Sequence, residues 1–243
     1  FFMEAAFSFV CAALVFLLVR DTPEALGLTP YGAEAGGAPA KSRAPESPSS
    51  LPLPHRQLFA LWLATGLLGA VASPGPSHLM ILYTTAGMAA HQAALAVSVF
   101  GLALMVGKCV YGMACDRFGG YRMGWLFGAI LCAGLTLCTL AGSRNASLMF
   151  AAVVLYGAGV SLSTVGLSIW AQDFGGEARV GQLMRQFQTC YGIGSLLLSA
   201  MPGLIADRTG SYAGAYGVLL LSAAGSVLAV QILYHRRAQR ALV

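Results

Sequence analysis

Long apolar runs recur along the chain, and short polar stretches separate them. A hydrocarbon core about 30 Å thick is crossed by a helix of about 20 apolar residues. Seven runs have that length: residues 1–19, 58–82, 93–113, 123–141, 147–170, 182–205 and 213–234. Each predicts a transmembrane helix. The second contains Ser73, Pro74, Gly75 and Pro76. Two prolines so close withhold two backbone donors and predict a break or kink near one end of that span. Between the first two runs, residues 20–56 hold seven of the ten prolines, with Gly and Ser and no apolar period. That segment reads as a flexible linker. The expected organisation is therefore a first span at 1–19, a linker at 20–56, a six-span body at 57–234 and a short tail at 235–243.

Composition agrees with the pattern. Hydrophobic residues make up 57% of the chain and charged residues 9%, against roughly 25% charged in soluble domains. The net charge of +5 raises nucleic acid as a partner. The basic residues form no stripe, which excludes that class. Cys11, Cys109, Cys115, Cys132, Cys138 and Cys190 lie in or beside apolar runs without any CxxC or Cys/His grouping. They read as small buried apolar residues, with no metal site. No nucleophile elbow, zinc-protease helix or phosphate-binding glycine loop is present, so no enzyme and no cofactor are expected.

Charge also orients the spans. Arg20, Lys41, Arg43, Arg56, Arg117, Arg122, Arg179, Arg185, Arg236, Arg237 and Arg240 fall on one side, and Arg144 and Arg208 on the other. The positive-inside rule then places the linker and C-terminus in the cytoplasm. The first residue would lie outside, already within an apolar run. No basic stretch precedes that run as a signal peptide requires. The sequence reads as a chain whose earlier part is missing.

A short pattern occurs twice. "GMACDRFG" (112–119) and "GLIADRTG" (203–210) share Gly-x-x-x-Asp-Arg-x-Gly, each at the end of a span. Three spans separate the copies, so they lie on opposite faces. The last six spans then form two three-helix units of inverted topology, an arrangement found in secondary transporters. The first copy poses a physical question. A carboxylate at a helix C-terminus is disfavoured by roughly 0.3–1 kcal/mol unless it is paired. Arg117 and Arg122 are at hand for Asp116, and Gly112 and Gly119 permit close approach and a tight turn. A charge pair that forms in one state and breaks in another would be a conformational latch.

Gly112-x-x-x-Asp116-Arg117-x-Gly119-x-x-Arg122 resembles the signature loop of the major facilitator superfamily. "RDTPEALGLTPYG" (20–32) is similar to the start of that superfamily's central cytoplasmic loop. "DFGGEARVGQLM" (173–184) and "GLIADRTGSYAGAY" (203–216) resemble the final helices of its monocarboxylate and oxalate/formate branches. The resemblance implies that the first span is the sixth of twelve and that the rest is the C-terminal half-bundle. In the monocarboxylate-type branch an arginine four residues before the motif glycine binds the substrate carboxylate. Lys108 stands at that place, and Leu104 stands where the branch commonly has an aspartate.

Lys108 is the one basic residue well inside a span. A charge there costs roughly 2.5–3.5 kcal/mol by insertion scales. Its stem can snorkel over the run of about 8 Å to the end of the span. Alternatively it faces an anion, on a helical face with Gly101, Met105, Tyr111 and Gly112. No Asp or Glu lies inside the last six runs, and Glu4 is the one acidic residue within the first. That balance favours an anionic solute. Gln186, Gln188, Thr189 and Tyr191 are candidates to line a pathway or to bond between helices. The small-residue stretch "YGAGVSLSTVG" (156–166) reads as helix packing or a substrate groove. His78, after the Pro break, reads as an interfacial polar residue or a proton shuttle. Asn145 and Ser147 form a glycosylation sequon close to the membrane.

The expectation is an all-α integral membrane protein of the cell membrane. Seven transmembrane helices are expected, the last six forming one half-bundle of inverted three-helix repeats. Its activity would be transport of a small organic anion by alternating access, proton coupling being implied by the resemblance. Lys108, Tyr111, Gln186, Gln188 and Tyr191 would bind it. Gly112, Asp116, Arg117, Gly119 and Arg122 would form the latch, and Gly203, Asp207, Arg208 and Gly210 its outer counterpart. The partners would be the solute, the bilayer and a missing N-terminal half. A drug or metabolite exporter, and a non-transporting seven-span sensor or scaffold, are the alternatives.

Overall fold

The computed structural model describes residues 2–18, 54–143 and 145–240. The chain divides into two units, Phe1–Glu46 and Ser47–Val243. The first contributes helix α1 (Phe2–Leu18), whose large apolar side chains, Phe2, Phe7 and Phe16 among them, are exposed. The 20–56 linker lies outside the described residues except for its last three positions. Of these, His55 and Arg56 already belong to a helix.

The second unit is helical among its described residues. Its helices are α2 (His55–Ala72), α3 (Pro74–Ser77), α4 (Leu79–Thr85), α5 (Ala90–Phe118), α6 (Gly120–Thr139), α7 (Ala146–Val160), α8 (Val165–Leu198), α9 (Met201–Thr209) and α10 (Ala213–Arg240). Helix α2 packs on α8 and α10, α6 packs on α7 and α10, and α5 packs on α7. Trp170, Tyr83, Tyr111, Tyr156, Tyr216 and Phe187 fill the interior. The outer faces are apolar as well, with Leu63, Leu102, Val106, Leu126, Leu196 and Leu221 exposed. A helix apolar on all sides belongs in a membrane.

Among the described residues, five helical stretches are long and apolar enough to cross a bilayer: His55–Ser77, Ala90–Phe118, Gly120–Thr139, Ala146–Thr209 and Ala213–Arg237. Seven runs were expected. The difference has two sources. Of the first run the described residues give an apolar helix at Ala5–Leu18, a stretch shorter than a full span, with the ends of the expected run outside the described residues. The runs at 147–170 and 182–205 count as one stretch, because across residues 171–181, where a loop was expected, two helices meet at a kink with no longer break. Ala, Gln, Glu and Arg in that stretch favour helix. Only Gly176 leaves helical geometry there, at φ 62° and ψ −177°. The joined stretch has 64 residues. At about 1.5 Å per residue it would run about 96 Å if straight, against a core of about 30 Å, so the turn at Gly176 matters.

The expected break in the second span is present. Helix α2 stops at Ala72, and short α3 and α4 follow, parted at His78. Unwound backbone in a bilayer must find other partners for its carbonyls. Side chains supply them. The Tyr156 hydroxyl donates to Val71 O (2.6 Å) and the Tyr216 hydroxyl to Gly75 O (2.6 Å). Ser77 Oγ donates to Ser73 O (2.9 Å) and His78 Nδ1 to Pro74 O (2.8 Å). His78 is thus committed to the broken backbone, and its ring stacks on Tyr212 with centroids 5.8 Å apart. Tyr156→Phe leaves a buried carbonyl unpaired. It should destabilise the purified chain by about 1–3 kcal/mol. Ser77→Ala, at an exposed bond, should stay within about 0.5 kcal/mol in the same thermal melt.

Candidate functional site

The charged turn joins α5 to α6. Helix α5 ends at Phe118, and the Gly119 N–H returns to Cys115 O at 2.8 Å. Gly119 takes φ 84°, which a side chain would strain. Asp116 and Arg117 occupy the last turn of α5, Arg122 the first turn of α6, and all three side chains are exposed. Arg117 lies over the Phe118 ring, 5.5 Å from its centroid. Among the described residues no Lys or Arg nitrogen comes within 4.0 Å of a carboxylate oxygen. The second copy closes the same way. Asp207 and Arg208 sit in the last turn of α9, and Gly210, at φ 72°, returns its N–H to Ala206 O at 2.8 Å.

Behind the first turn lies a cluster that the sequence did not announce. Asp173, on α8, is half-buried. Its carboxylate accepts a hydrogen bond of 2.5 Å from the Tyr234 hydroxyl on α10. Arg237, one turn on, donates to the Asp173 carbonyl and lies 5.7 Å from the centroid of Phe174. The rings of Phe174 and Tyr121 flank Tyr234, at 4.8 and 5.9 Å. A Cβ on Gly120 would sit 2.7 Å from Asp173 Oδ2 and 2.9 Å from the Tyr234 oxygen. The second glycine of the "FGG" turn therefore lets the N-terminus of α6 approach the carboxylate, where a helix favours negative charge. One turn further, Gln231 Nε2 donates to Tyr121 O at 3.2 Å.

The expected solute-binding residues are dispersed. Lys108 is half-buried on α5, ten residues before its end, with Gly101, Met105 and Cys109 exposed around it. Tyr111 does not share that exposure. It is fully buried, its ring 4.6 Å from that of Phe127, and its hydroxyl pairs with no oxygen or nitrogen. Gln188 is exposed on α8. Gln186 is half-buried with its Oε1 unpaired. Tyr191, also half-buried, lies beside Ser163. Ser163 belongs to a 3₁₀ turn, Ser161–Ser163, that interrupts the helical stretch from α7 into α8. Ser161 and Ser163 are buried and donate to Ala158 O and Val160 O, both at 2.6 Å. The stretch at 156–166 is thus a mid-helix interruption as well as a packing surface.

The family model of the Major Facilitator Superfamily matches residues 75–242. The chain belongs to the Major Facilitator Superfamily. No curated protein and no solved structure matches it significantly.

The superfamily match begins within the broken helix and covers both Gly-x-x-x-Asp-Arg-x-Gly turns, Lys108 and the Asp173 cluster. A multi-pass membrane protein of the secondary-transporter class is what the match and the apolar helices together support. Asp173 is the residue that sequence reasoning passed over, because it lies between two apolar runs and its partners are some sixty positions away. A cue was available in "DFGG", a carboxylate followed by an aromatic ring and a helix-breaking pair. The other cue was a tyrosine and arginine three residues apart near the C-terminus.

Proposed function

We propose that this chain is the C-terminal part of a secondary transporter that moves a small organic anion, a carboxylate, by alternating access. The reading takes α1 as the sixth of twelve spans, with α2 to α10 supplying the last six as two inverted triplets. It takes the linker and tail as cytoplasmic and the membrane as the cell membrane. The observation that carries the solute class is Lys108. It is a cation within the apolar body of α5, and among the described residues no carboxylate lies within ion-pair distance of it. An anionic solute would supply the missing charge. The similarity of its position to the carboxylate-binding arginine of the monocarboxylate-type branch supports the same reading, and proton coupling follows from that similarity alone. The exposed Asp116, Arg117 and Arg122 suit a latch that engages the other half-bundle, with Gly112 and Gly119 shaping the turn.

In the full-length transporter, Lys108→Gln should weaken solute binding by about 1.5–3 kcal/mol, roughly tenfold or more. Lys108→Arg should keep part of the affinity. Uptake of labelled lactate, pyruvate, oxalate and formate into liposomes measures both. Unchanged affinity and rate in Lys108→Gln would reduce the lysine to a snorkelling residue, and the drug- or metabolite-exporter reading would then replace this one.

A further inference from the structure

We propose that Tyr111 locks a hinge at Thr164, in alternation with the tyrosine bonds that hold the break at Ser73. The inference rests on the alternating-access reading above and is independent of the solute. Its starting point is an internal spacing. Gly203 follows Gly112 by 91 residues in the two Gly-x-x-x-Asp-Arg-x-Gly turns, and Thr164 follows Ser73 by the same 91. Ser73 and Thr164 each interrupt a helical stretch at the same depth. Ser73 comes after the 18 residues of α2, and Thr164 after the 15 residues of α7 and the three of the 3₁₀ turn. Their backbones match, at φ −107° and ψ −63° for Ser73 and φ −114° and ψ −61° for Thr164. Gly75 and Gly166 keep the spacing two residues on, and so do Ser77 and Ser168. Each of those serines turns its hydroxyl back on the break, to Ser73 O at 2.9 Å and to Val165 O at 2.7 Å. Two breaks at one repeat spacing and with one backbone geometry are counterparts.

The counterparts sit toward opposite ends of the bundle. The His78 ring, just past Ser73, stacks on Tyr212, beside the 203–210 turn. Ile169, at the matching place past Thr164, lies against Gly120, beside the 112–119 turn. Tyr234 meets Gly120 too, so α10 runs from the Tyr212 end to the other. The first break is tied across helices. The Tyr156 hydroxyl bonds Val71 O, the Tyr216 hydroxyl bonds Gly75 O, and Tyr156 leaves no room for a Cβ on Gly75. At the second break a tyrosine is at hand but untied. A Cβ on Gly166 would have ordinary contacts, 3.5 Å from the Tyr111 hydroxyl and 3.6 Å from Trp170 Cζ2. Tyr111 is 0% exposed, yet its hydroxyl bonds no oxygen or nitrogen among the described residues. The Cys115 thiol, one turn on, is only a weak acceptor. A buried donor without an acceptor is costly, so an arrangement that supplies one is favoured. Rotation at Thr164 brings a carbonyl of 161–166 onto Tyr111 in the second state, and the Tyr156 and Tyr216 bonds release as the two ends close in turn. The hinges repeat, and the tyrosines that tie them do not: α7 and α10 supply one set and α5 the other.

Amide hydrogen exchange of the full-length transporter in lipid nanodiscs tests the lock without any solute, apart from the uptake test of Lys108. Its probes are the Ser77 and His78 amides, which bond Ser73 O and Gly75 O at the first break. Tyr111→Phe removes no bond to oxygen or nitrogen in this structure, so it should fold. It removes the lock of the second state, in which the first break is open. The two amides should therefore exchange roughly three- to tenfold more slowly, the worth of one hydrogen bond in a two-state equilibrium. Tyr216→Phe should speed them by a similar factor. A slower rate cannot come from loosened packing, which opens a segment. An unchanged or faster rate in Tyr111→Phe overturns the lock, whatever Tyr216→Phe does. Labelled-solute uptake by the wild type with unchanged exchange in Tyr111→Phe sinks the hinge pair and leaves alternating access standing. Slower exchange without uptake of any of the four carboxylates upholds the hinge pair and sinks the solute class. Should Tyr216→Phe fail to fold, Tyr111→Phe decides the matter by itself.

Discussion

Asp173→Ala should lower the stability of the second unit by about 2–3 kcal/mol, more than any other removal of a charge from it. A hydrogen bond to a charged group contributes about 1.5–3 kcal/mol, and truncation also strands its donor. Here the donor is Tyr234, held between Phe174 and Tyr121. The carboxylate also faces the N-terminus of α6 across Gly120. Loss of one side chain therefore loosens α6, α8 and α10 together. Tyr234→Phe should lose a smaller part, and the double variant should lose less than the two single losses added, because both act on one bond. Gly120→Ala should reproduce part of the effect by pushing the carboxylate away. Asp116→Ala is the control. Its side chain is exposed, and the change should stay within about 0.5 kcal/mol. Thermal unfolding of the purified chain in detergent reads all five. Equal tolerance of Asp173→Ala and Asp116→Ala would contradict the cluster's role.

Much of the fold was legible where backbone chemistry is local. Two prolines in four residues gave the break in α2, because the donors they lack cannot be replaced along the helix. Asp-Arg-x-Gly gave both helix ends, since only glycine takes the closing φ without strain. Whatever depended on which way a side chain turns was not legible. Helical spacing placed Tyr111 beside Lys108, yet the fold turns Tyr111 into the core and leaves Lys108 at its margin. Those two positions differ by three residues, which shifts a side chain by about 60° around a helix of 3.6 residues per turn. An offset of that size separates core from rim. Asp173 was missed for a related reason. Its charge looked like part of a turn between two apolar runs, and the kink at Gly176 is there, but Tyr234 and Arg237, some sixty positions on, accommodate the carboxylate and its carbonyl. A sequence shows the charge and not its distant partner.

The small-residue stretch at 156–166 yields the prediction with the largest contrast. Gly157 faces α5 so closely that an added Cβ would sit 2.6 Å from Phe100 O, 3.0 Å from Ala103 Cβ and 3.2 Å from Leu104 N. Gly107 makes the reciprocal approach, with its Cβ position 2.8 Å from Ala158 Cα. Most of these neighbours are backbone, which cannot rotate aside as a side chain would. Gly157→Ala should therefore push α5 and α7 apart, at an overpacking cost of about 1–3 kcal/mol, and Gly157→Leu should cost more. Gly192, in α8, offers the opposite case. Nothing lies within 4 Å of its added Cβ. There the same Gly→Ala change removes unfolded-chain freedom from a helix interior and should stabilise by about 0.5–1 kcal/mol. The two variants carry one identical chemical change with opposite expected signs, so a uniform bias in the melt cannot produce the result. Should Gly157→Ala raise the melting temperature as Gly192→Ala does, the α5–α7 contact is looser than these distances state. The stretch would then act as the wall of a groove, and the small residues would serve the solute instead of the packing.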